Sequence, residues 1–98
     1  MILQLESSGF SFTVEPKDAP ATMGREEPCE LVVESSSVSR KHCELSCEDG
    51  DWFVMDVGSR YGTTVNGKSA TKPLKLGNGD VLKLGSQNFI ISLLVRKV

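Results

Sequence analysis

The sequence predicts an all-β domain, a sandwich of short and mostly antiparallel strands. Apolar residues do not recur at helical spacing in any segment, whereas several segments alternate apolar and polar side chains with a period of two. Gly, Asn, Asp, Ser and Pro interrupt these segments every ~8–12 residues, which is typical of sandwiches. A length of 98 residues is sufficient for one domain with a modest core.

The individual strands follow from this pattern. Residues 10–14 place Phe10, Phe12 and Val14 on one face, and Trp52 opens a strongly apolar segment. Asp49-Gly50 and Asn66-Gly67 predict hairpin turns, because these residue types accept a positive φ. The predicted strands are residues 2–5, 10–14, 22–25, 31–33, 42–47, 52–57, 63–65, 74–76, 81–84 and 89–95.

The charge pattern and the lengths of the apolar runs exclude two classes of partner. The net charge is −2, with twelve acids against four bases in residues 1–58 and one acid against seven bases in residues 59–98. Nucleic-acid-binding proteins usually carry a basic total or a dense basic tract, and neither occurs here, so we expect no direct nucleic-acid partner. No apolar run approaches the ~20 residues of a membrane helix, so we expect no membrane partner.

The cysteines predict a reducing compartment. Cys29, Cys43 and Cys47 are an odd number, and the N-terminus lacks the basic region of a signal peptide. We therefore expect an intracellular protein with reduced thiols. The absence of a CxxC pair argues against a metal site, and no cofactor is expected.

Three polar loops are the candidate functional region, because sandwiches usually carry function in loops at one end. These loops contain Gly24-Arg25, residues 37–42 and residues 58–63. Guanidinium groups and hydroxyls at a loop edge are the donors that a tetrahedral dianion requires. The side chains that could supply them are Arg25, Ser39, Arg40, Lys41, Ser59, Arg60 and Thr63.

The order and spacing of these motifs resemble the forkhead-associated (FHA) family from about residue 22 to residue 85. The matching positions are Gly24-Arg25, Ser39-Arg40-Lys41-His42, Trp52, Asp56, Gly58-Ser59, Gly62-Thr63, Val65-Asn66-Gly67 and residues 79–85. The resemblance implies a sandwich of about eleven strands, with residues 1–98 as a single domain at the N-terminus of a longer protein. It also implies a non-catalytic module that reads phosphothreonine in extended peptides.

The resemblance also implies a role for each loop residue. Arg25 would pair with the phosphate, Ser39 would donate its hydroxyl to it, and Arg40 would contact phosphate or peptide backbone. The other expected peptide-binding residues are Ser59, Arg60, Tyr61 and Asn66. The expected structural supports are Gly24, His42 and Gly62, with His42 bracing a loop through hydrogen bonds.

Tyr61 departs from the common pattern, since many family members have asparagine at this position. The segment Ser59-Arg60-Tyr61-Gly62-Thr63 resembles instead the nibrin-type and checkpoint-mediator FHA domains of DNA-damage signalling. This narrower resemblance implies a nuclear protein in the DNA-damage or checkpoint response.

Two other functions compete with phosphopeptide binding. One is a degenerate FHA domain that acts mainly in homodimerisation, which the opposite charges of residues 1–58 and 59–98 would favour. The other is an enzyme with a Ser39, His42 and Asp56 triad. We expect no enzyme, because His42 is the only histidine and no nucleophile elbow is present.

Overall fold

The computed structural model describes residues 1–95, and it confirms the predicted all-β sandwich. Eleven strands form two sheets, and the one helix among these residues is a single 3-10 turn at Pro16–Asp18. The strands are β1 Ile2–Glu6, β2 Ser11–Val14, β3 Ala21–Gly24, β4 Leu31–Val32, β5 Cys43–Glu48, β6 Asp51–Asp56, β7 Thr63–Val65, β8 Lys68–Ser69, β9 Leu74–Lys75, β10 Val81–Leu84 and β11 Gln87–Leu94.

The two sheets have six and five strands. The six-stranded sheet has the order β2-β1-β11-β10-β7-β8, and the five-stranded sheet has the order β4-β3-β5-β6-β9. The pairing of β3 with β4 is parallel, and the other described pairings are antiparallel. Because β6 and β7 lie in different sheets, the loop between them crosses from one sheet to the other at one end of the sandwich.

The core is formed by side chains that alternate inward along the strands. Trp52 is fully buried and donates its indole N–H to the main-chain carbonyl of Met1 at 2.9 Å. This bond satisfies the one polar atom of the side chain, so the ring can lie in an apolar interior. The other largest buried apolar side chains are Phe89, Leu3, Leu5, Met23, Leu45, Leu76, Leu82, Leu84 and Ile91.

Two predicted hairpin turns are confirmed by backbone dihedrals. Asp49 and Gly50 have φ values of 50° and 84°, and Asn66 and Gly67 have values of 51° and 85°. Both residues of each pair are therefore left-handed, as a type I′ turn requires.

The strand prediction omitted one element. Strand β8, Lys68–Ser69, consists of two exposed residues and pairs with β7 directly after the Asn66-Gly67 turn. Two polar residues have no alternation to detect, so this strand exists only because the turn places it beside β7.

No helix among residues 1–95 has the length and apolarity needed to span a membrane.

Candidate functional site

Three loops emerge side by side from one end of the sandwich, because the flanking strands end in register. Met23 in β3 pairs with Cys43 at the start of β5, which pairs with Asp56 at the end of β6. We call this end the apical end. Residues 25–30, 33–42 and 57–62 are the first, second and third apical loops.

His42 connects the second apical loop to the third. It is fully buried, and its Nδ1 accepts the backbone N–H of Ser39 at 3.0 Å. Its Nε2 lies 2.9 Å from the carbonyl of Gly62. A carbonyl only accepts, so Nε2 carries the proton and donates it. Both ring nitrogens are thus occupied by main-chain groups, and the side chain holds Ser39 and Gly62 at a set separation.

Ser39 lies where the three loops meet. Its carbonyl accepts the N–H of Arg25 at 2.9 Å, and its Oγ accepts the N–H of Arg60 at 2.9 Å. A hydroxyl that accepts through its oxygen still has its own proton to donate. No acceptor for that proton occurs among residues 1–95, and Ser39 is only half-buried. The hydroxyl is therefore oriented by the protein but still available to a ligand.

Arg25 lies directly beside Ser39 through their backbone hydrogen bond. One guanidinium N–H donates to the carbonyl of Val38 at 3.2 Å, and within residues 1–95 Arg25 forms no ion pair. A guanidinium has five N–H donors, so several remain for another partner. The half-buried side chain is thus a positioned cation that forms no ion pair among residues 1–95.

Arg40 is placed differently. Its side chain is 77% exposed, and its Nε lies 3.5 Å from a carboxylate oxygen of Glu26. Its carbonyl accepts the thiol of Cys29 at 3.1 Å and lies close against Gly24. A Cβ at position 24 would overlap that carbonyl, so only glycine allows the first and second loops to approach this closely.

Asp56 organises the third apical loop. One carboxylate oxygen accepts the N–H groups of Gly58 and Ser59, each at 3.0 Å, and the other accepts the hydroxyls of Ser59 and Thr63. Burial raises the pKa of this carboxyl, but these hydrogen bonds outweigh burial, so the pKa lies below its ordinary value.

The Asp56 contacts correct one expectation about ligand donors. The hydroxyl protons of Ser59 and Thr63 go to Asp56, and the Ser59 Oγ also accepts the N–H of Gly62 at 2.9 Å. Thr63 is also buried. Of the three hydroxyls expected to face an anion, Ser39 alone keeps a free proton among residues 1–95.

Arg60 and Tyr61 form the exposed tip of the third loop. The guanidinium carbon of Arg60 lies 5.4 Å from the centre of the Tyr61 ring, and Tyr61 is 62% exposed. A cation over an aromatic face at this distance is attracted to the ring. The pair presents an exposed aromatic ring on the loop whose Arg60 N–H bonds to the Ser39 hydroxyl.

Asn66 is not at the tip of these loops. It lies in the turn after β7, four residues beyond Gly62, and at ~3.4 Å per residue along the strand the two positions are ~13–14 Å apart. Its amide donates to Asp80 at 3.0 Å and its carbonyl oxygen accepts the N–H of Val81 at 2.9 Å. Both ends of the side chain are thus used to hold the turn against β10.

The serine contacts that support the second loop were not predicted from the sequence. The Oγ of Ser37 lies 2.8 Å from that of Ser86 and accepts the N–H of Ser86 at 2.9 Å. The side-chain amide of Gln87 donates to Ser35 at 3.3 Å. These partners lie about 50 positions away in the sequence, so no local signal indicates them.

The alternative chemistries find no support in the geometry. His42 bonds to main-chain groups, and Asp56 bonds to the third loop, so they do not form a relay with the Ser39 hydroxyl. The three cysteines are free, and burial raises the pKa of Cys29 and of Cys43. Within residues 1–95 no group of His, Cys, Asp and Glu side chains could hold a metal ion.

Comparison with known proteins identifies similar sequences and similar folds. The glycogen accumulation regulator GarA of Mycolicibacterium smegmatis is 38% identical over 69 residues, covering 69% of this chain and 43% of GarA. The kinase-interacting FHA domain of the Arabidopsis kinase-associated protein phosphatase superposes with a TM-score of 0.86 at 24% identity, covering 99% of this chain and 97% of that one.

A further solved structure contains a ligand. The MEK1 FHA domain, in complex with a phosphothreonine peptide of HOP1, is 28% identical with a TM-score of 0.75, covering 93% of this chain and 95% of that one. The chain spans less than half the length of the curated relatives it matches. The FHA domain model matches residues 21–85, which include all three apical loops, and the chain therefore belongs to the FHA domain family.

Proposed function

We propose that the apical end binds phosphothreonine in an extended peptide, with Arg25 and Ser39 holding the phosphate. FHA domains bind phosphothreonine peptides in signalling. The observation that carries the proposal for these two residues is the state of the Ser39 hydroxyl. Its oxygen is held by the Arg60 N–H, its proton has no acceptor among residues 1–95, and the Arg25 guanidinium donates to the carbonyl of the preceding residue, Val38.

The chemistry of this pair suits a phosphate dianion. A guanidinium offers parallel N–H donors and a permanent charge, which match two phosphate oxygens. A hydroxyl fixed by its acceptor bond can add a third donor without losing further rotational freedom. Each charge-assisted hydrogen bond is worth about 1.5–3 kcal/mol, so two or three of them offset the loss of phosphate hydration.

The peptide backbone would lie on the second and third loops. Arg40 and Arg60 are exposed cations at their edges, and Tyr61 supplies a flat ring where the family commonly has an asparagine. Ser59 acts through the loop, because its hydroxyl is bonded to Asp56. Asn66 acts through the turn that it holds, so its effect on peptide binding would be indirect.

The decisive experiment is a calorimetric titration with a phosphothreonine peptide library. Arg25→Ala should abolish detectable binding, whereas Arg25→Lys should retain part of it, because lysine keeps the charge but loses the paired donors. The melting temperature of both variants should stay close to that of the wild type, since the Arg25 side chain makes one hydrogen bond. Equal affinity for phosphorylated and unphosphorylated peptides would refute the proposal.

The cellular setting is a narrower part of the proposal. The segment Ser59-Arg60-Tyr61-Gly62-Thr63 favours a nuclear DNA-damage or checkpoint scaffold, in which this chain is one module of a longer protein. Its support is this loop sequence and, for the longer protein, the greater length of the relatives. A fluorescent fusion of the full-length protein that stays outside the nucleus after DNA breakage would rule out this setting.

One observation favours the alternative of self-association. On β11, Ile90 and Leu94 are 50% and 43% exposed, although they lie in the six-stranded sheet. A second chain could cover these side chains. Sedimentation at high micromolar concentration, with Ile90→Ser as the disrupting variant, distinguishes a dimer from a monomer that binds peptide.

A further inference from the structure

A cavity of about 550 Å³ at the apical end is lined in part by Arg25. Its wall is formed by the first and second apical loops and combines one cation with three carboxylates. The lining residues are Arg25, Glu26, Glu27, Val32, Glu34, Ser35 and Ser36. The cavity therefore adjoins the residue that holds the phosphate in the proposed function.

Two of the three carboxylates that line this cavity form no ion pair within residues 1–95. Glu26 pairs with Arg40, but Glu27 and Glu34 are exposed and form no ion pair among residues 1–95. A second groove that Ser36 also lines is formed by Ser37, Tyr61, Lys83, Gly85 and Ser86. Lys83 is its single charged residue, so its charge is positive. Glu27 and Glu34 thus both line the cavity that Arg25 lines, and neither lines the groove that contains Lys83.

We propose that Glu27 and Glu34 are specificity-determining residues, and that they select phosphothreonine peptides with a lysine or arginine within about three positions of the phosphothreonine. This inference rests on the proposed function of Arg25. A phosphate that binds Arg25 also comes close to the two carboxylates, and a basic neighbour in the peptide compensates them. An acidic neighbour adds a like charge and weakens binding.

The expected preference is modest and sensitive to salt. An exposed charge pair contributes about 0.2–1 kcal/mol, which corresponds to about 1.4-fold to 5-fold in affinity. The peptide backbone advances ~3.4 Å per residue, so a long basic side chain near the phosphothreonine can enter the cavity. The preference should shrink as the ionic strength rises, because both carboxylates face solvent.

Fluorescence anisotropy with labelled nine-residue peptides tests this inference. Each peptide has a central phosphothreonine flanked by alanines, with lysine or aspartate at one of the three positions on either side. Positions before and after the phosphothreonine are therefore both tested. The unphosphorylated lysine peptides measure non-specific attraction to an acidic protein.

Glu27→Gln combined with Glu34→Gln is the test variant. Glu48→Gln is the matched control, because Glu48 is the last residue of β5 and lies at the end of that strand away from the apical loops.

We expect lysine at one or more positions to strengthen binding severalfold over aspartate, the double variant to lose this difference, and Glu48→Gln to keep it. Equal affinity for the lysine and aspartate peptides, or a preference that survives the double substitution, overturns the inference while the proposed function stands. If no phosphorylated peptide binds the wild-type protein better than its unphosphorylated form, the proposed function fails and the inference fails with it.

Discussion

The N–H of Arg60 donates a hydrogen bond of 2.9 Å to the hydroxyl oxygen of Ser39, 21 positions earlier in the chain. This bond connects the third apical loop to the second and directs the Ser39 proton away from Arg60. Any ligand that accepts this proton therefore meets a hydroxyl whose orientation depends on a residue in another loop.

Replacement of Ser39 by alanine should weaken phosphopeptide binding by about tenfold or more. The variant loses one hydrogen bond to a charged group, worth at least about 1.5 kcal/mol, and leaves the Arg60 N–H without its acceptor. Calorimetric titration measures the effect. Ser39→Thr is the matched control, since it keeps the hydroxyl. If Ser39→Ala bound as tightly as the wild type, the phosphate would lie elsewhere.

Replacement of His42 by alanine should destabilise the fold by roughly 2–4 kcal/mol. The substitution leaves a cavity and removes the partners of two buried main-chain groups, on Ser39 and Gly62. Urea denaturation measures the loss. Peptide binding should fall only as far as the apical loops lose their order. A variant as stable as the wild type would show that His42 does not brace these loops.

The stability of the domain should decrease as the pH falls below about 4, partly because of Asp56. Hydrogen bonds hold the pKa of Asp56 below its ordinary value of about 3.9 in the folded state. The folded state thus binds fewer protons than the unfolded state, and the stabilisation is present above the ordinary pKa and is lost as the pH falls through the lower one. Urea denaturation between pH 2 and pH 6 measures this dependence.

Asp56→Asn should reduce this pH dependence, and it should also lower the stability at neutral pH, because an amide cannot replace a carboxylate that accepts four hydrogen bonds. Asp18→Asn is the control, since Asp18 is exposed on the 3-10 turn. An unchanged pH profile in Asp56→Asn would contradict the assigned role.

Tyr61→Asn should leave the stability nearly unchanged, because Tyr61 is 62% exposed and its main contact is with the Arg60 side chain. Peptide affinity should be maintained or increased, since an asparagine amide at this position can bond to the peptide main chain. Calorimetric titration beside the wild type and Tyr61→Ala checks this. A strong loss in Tyr61→Asn would mean that the aromatic ring itself contacts the peptide.

Most of the strands and turns could be predicted from the sequence because their signals are local. The alternation of Cys43 and Leu45 with polar residues marks a strand, and Asn66-Gly67 marks a turn by its tolerance of positive φ. Strand β8 could not be predicted, because two exposed residues have no pattern. The hydrophobic pattern therefore determines which stretches are strands only where one face is buried.

The candidate site, like the strands, could be predicted only in part from the sequence. The residue types of the site can be identified from the sequence: the arginines and hydroxyls at Arg25, Ser39, Arg40 and Ser59, in an order that resembles the FHA family. Which of these groups are available to a ligand depends on the folded structure. A hydroxyl or a guanidinium can bind whichever partner lies nearest, and in this fold the partners of Ser39 and Arg40 come from other apical loops.

Three pairs show this dependence. Ser59 gives its proton to Asp56, Arg40 pairs with Glu26, and Ser39 receives the N–H of Arg60 and keeps its own proton. The residues of each pair are 3, 14 and 21 positions apart. Hydrogen bonds form over about 3 Å, so availability depends on spatial separation, which the sequence spacing of loop residues does not determine.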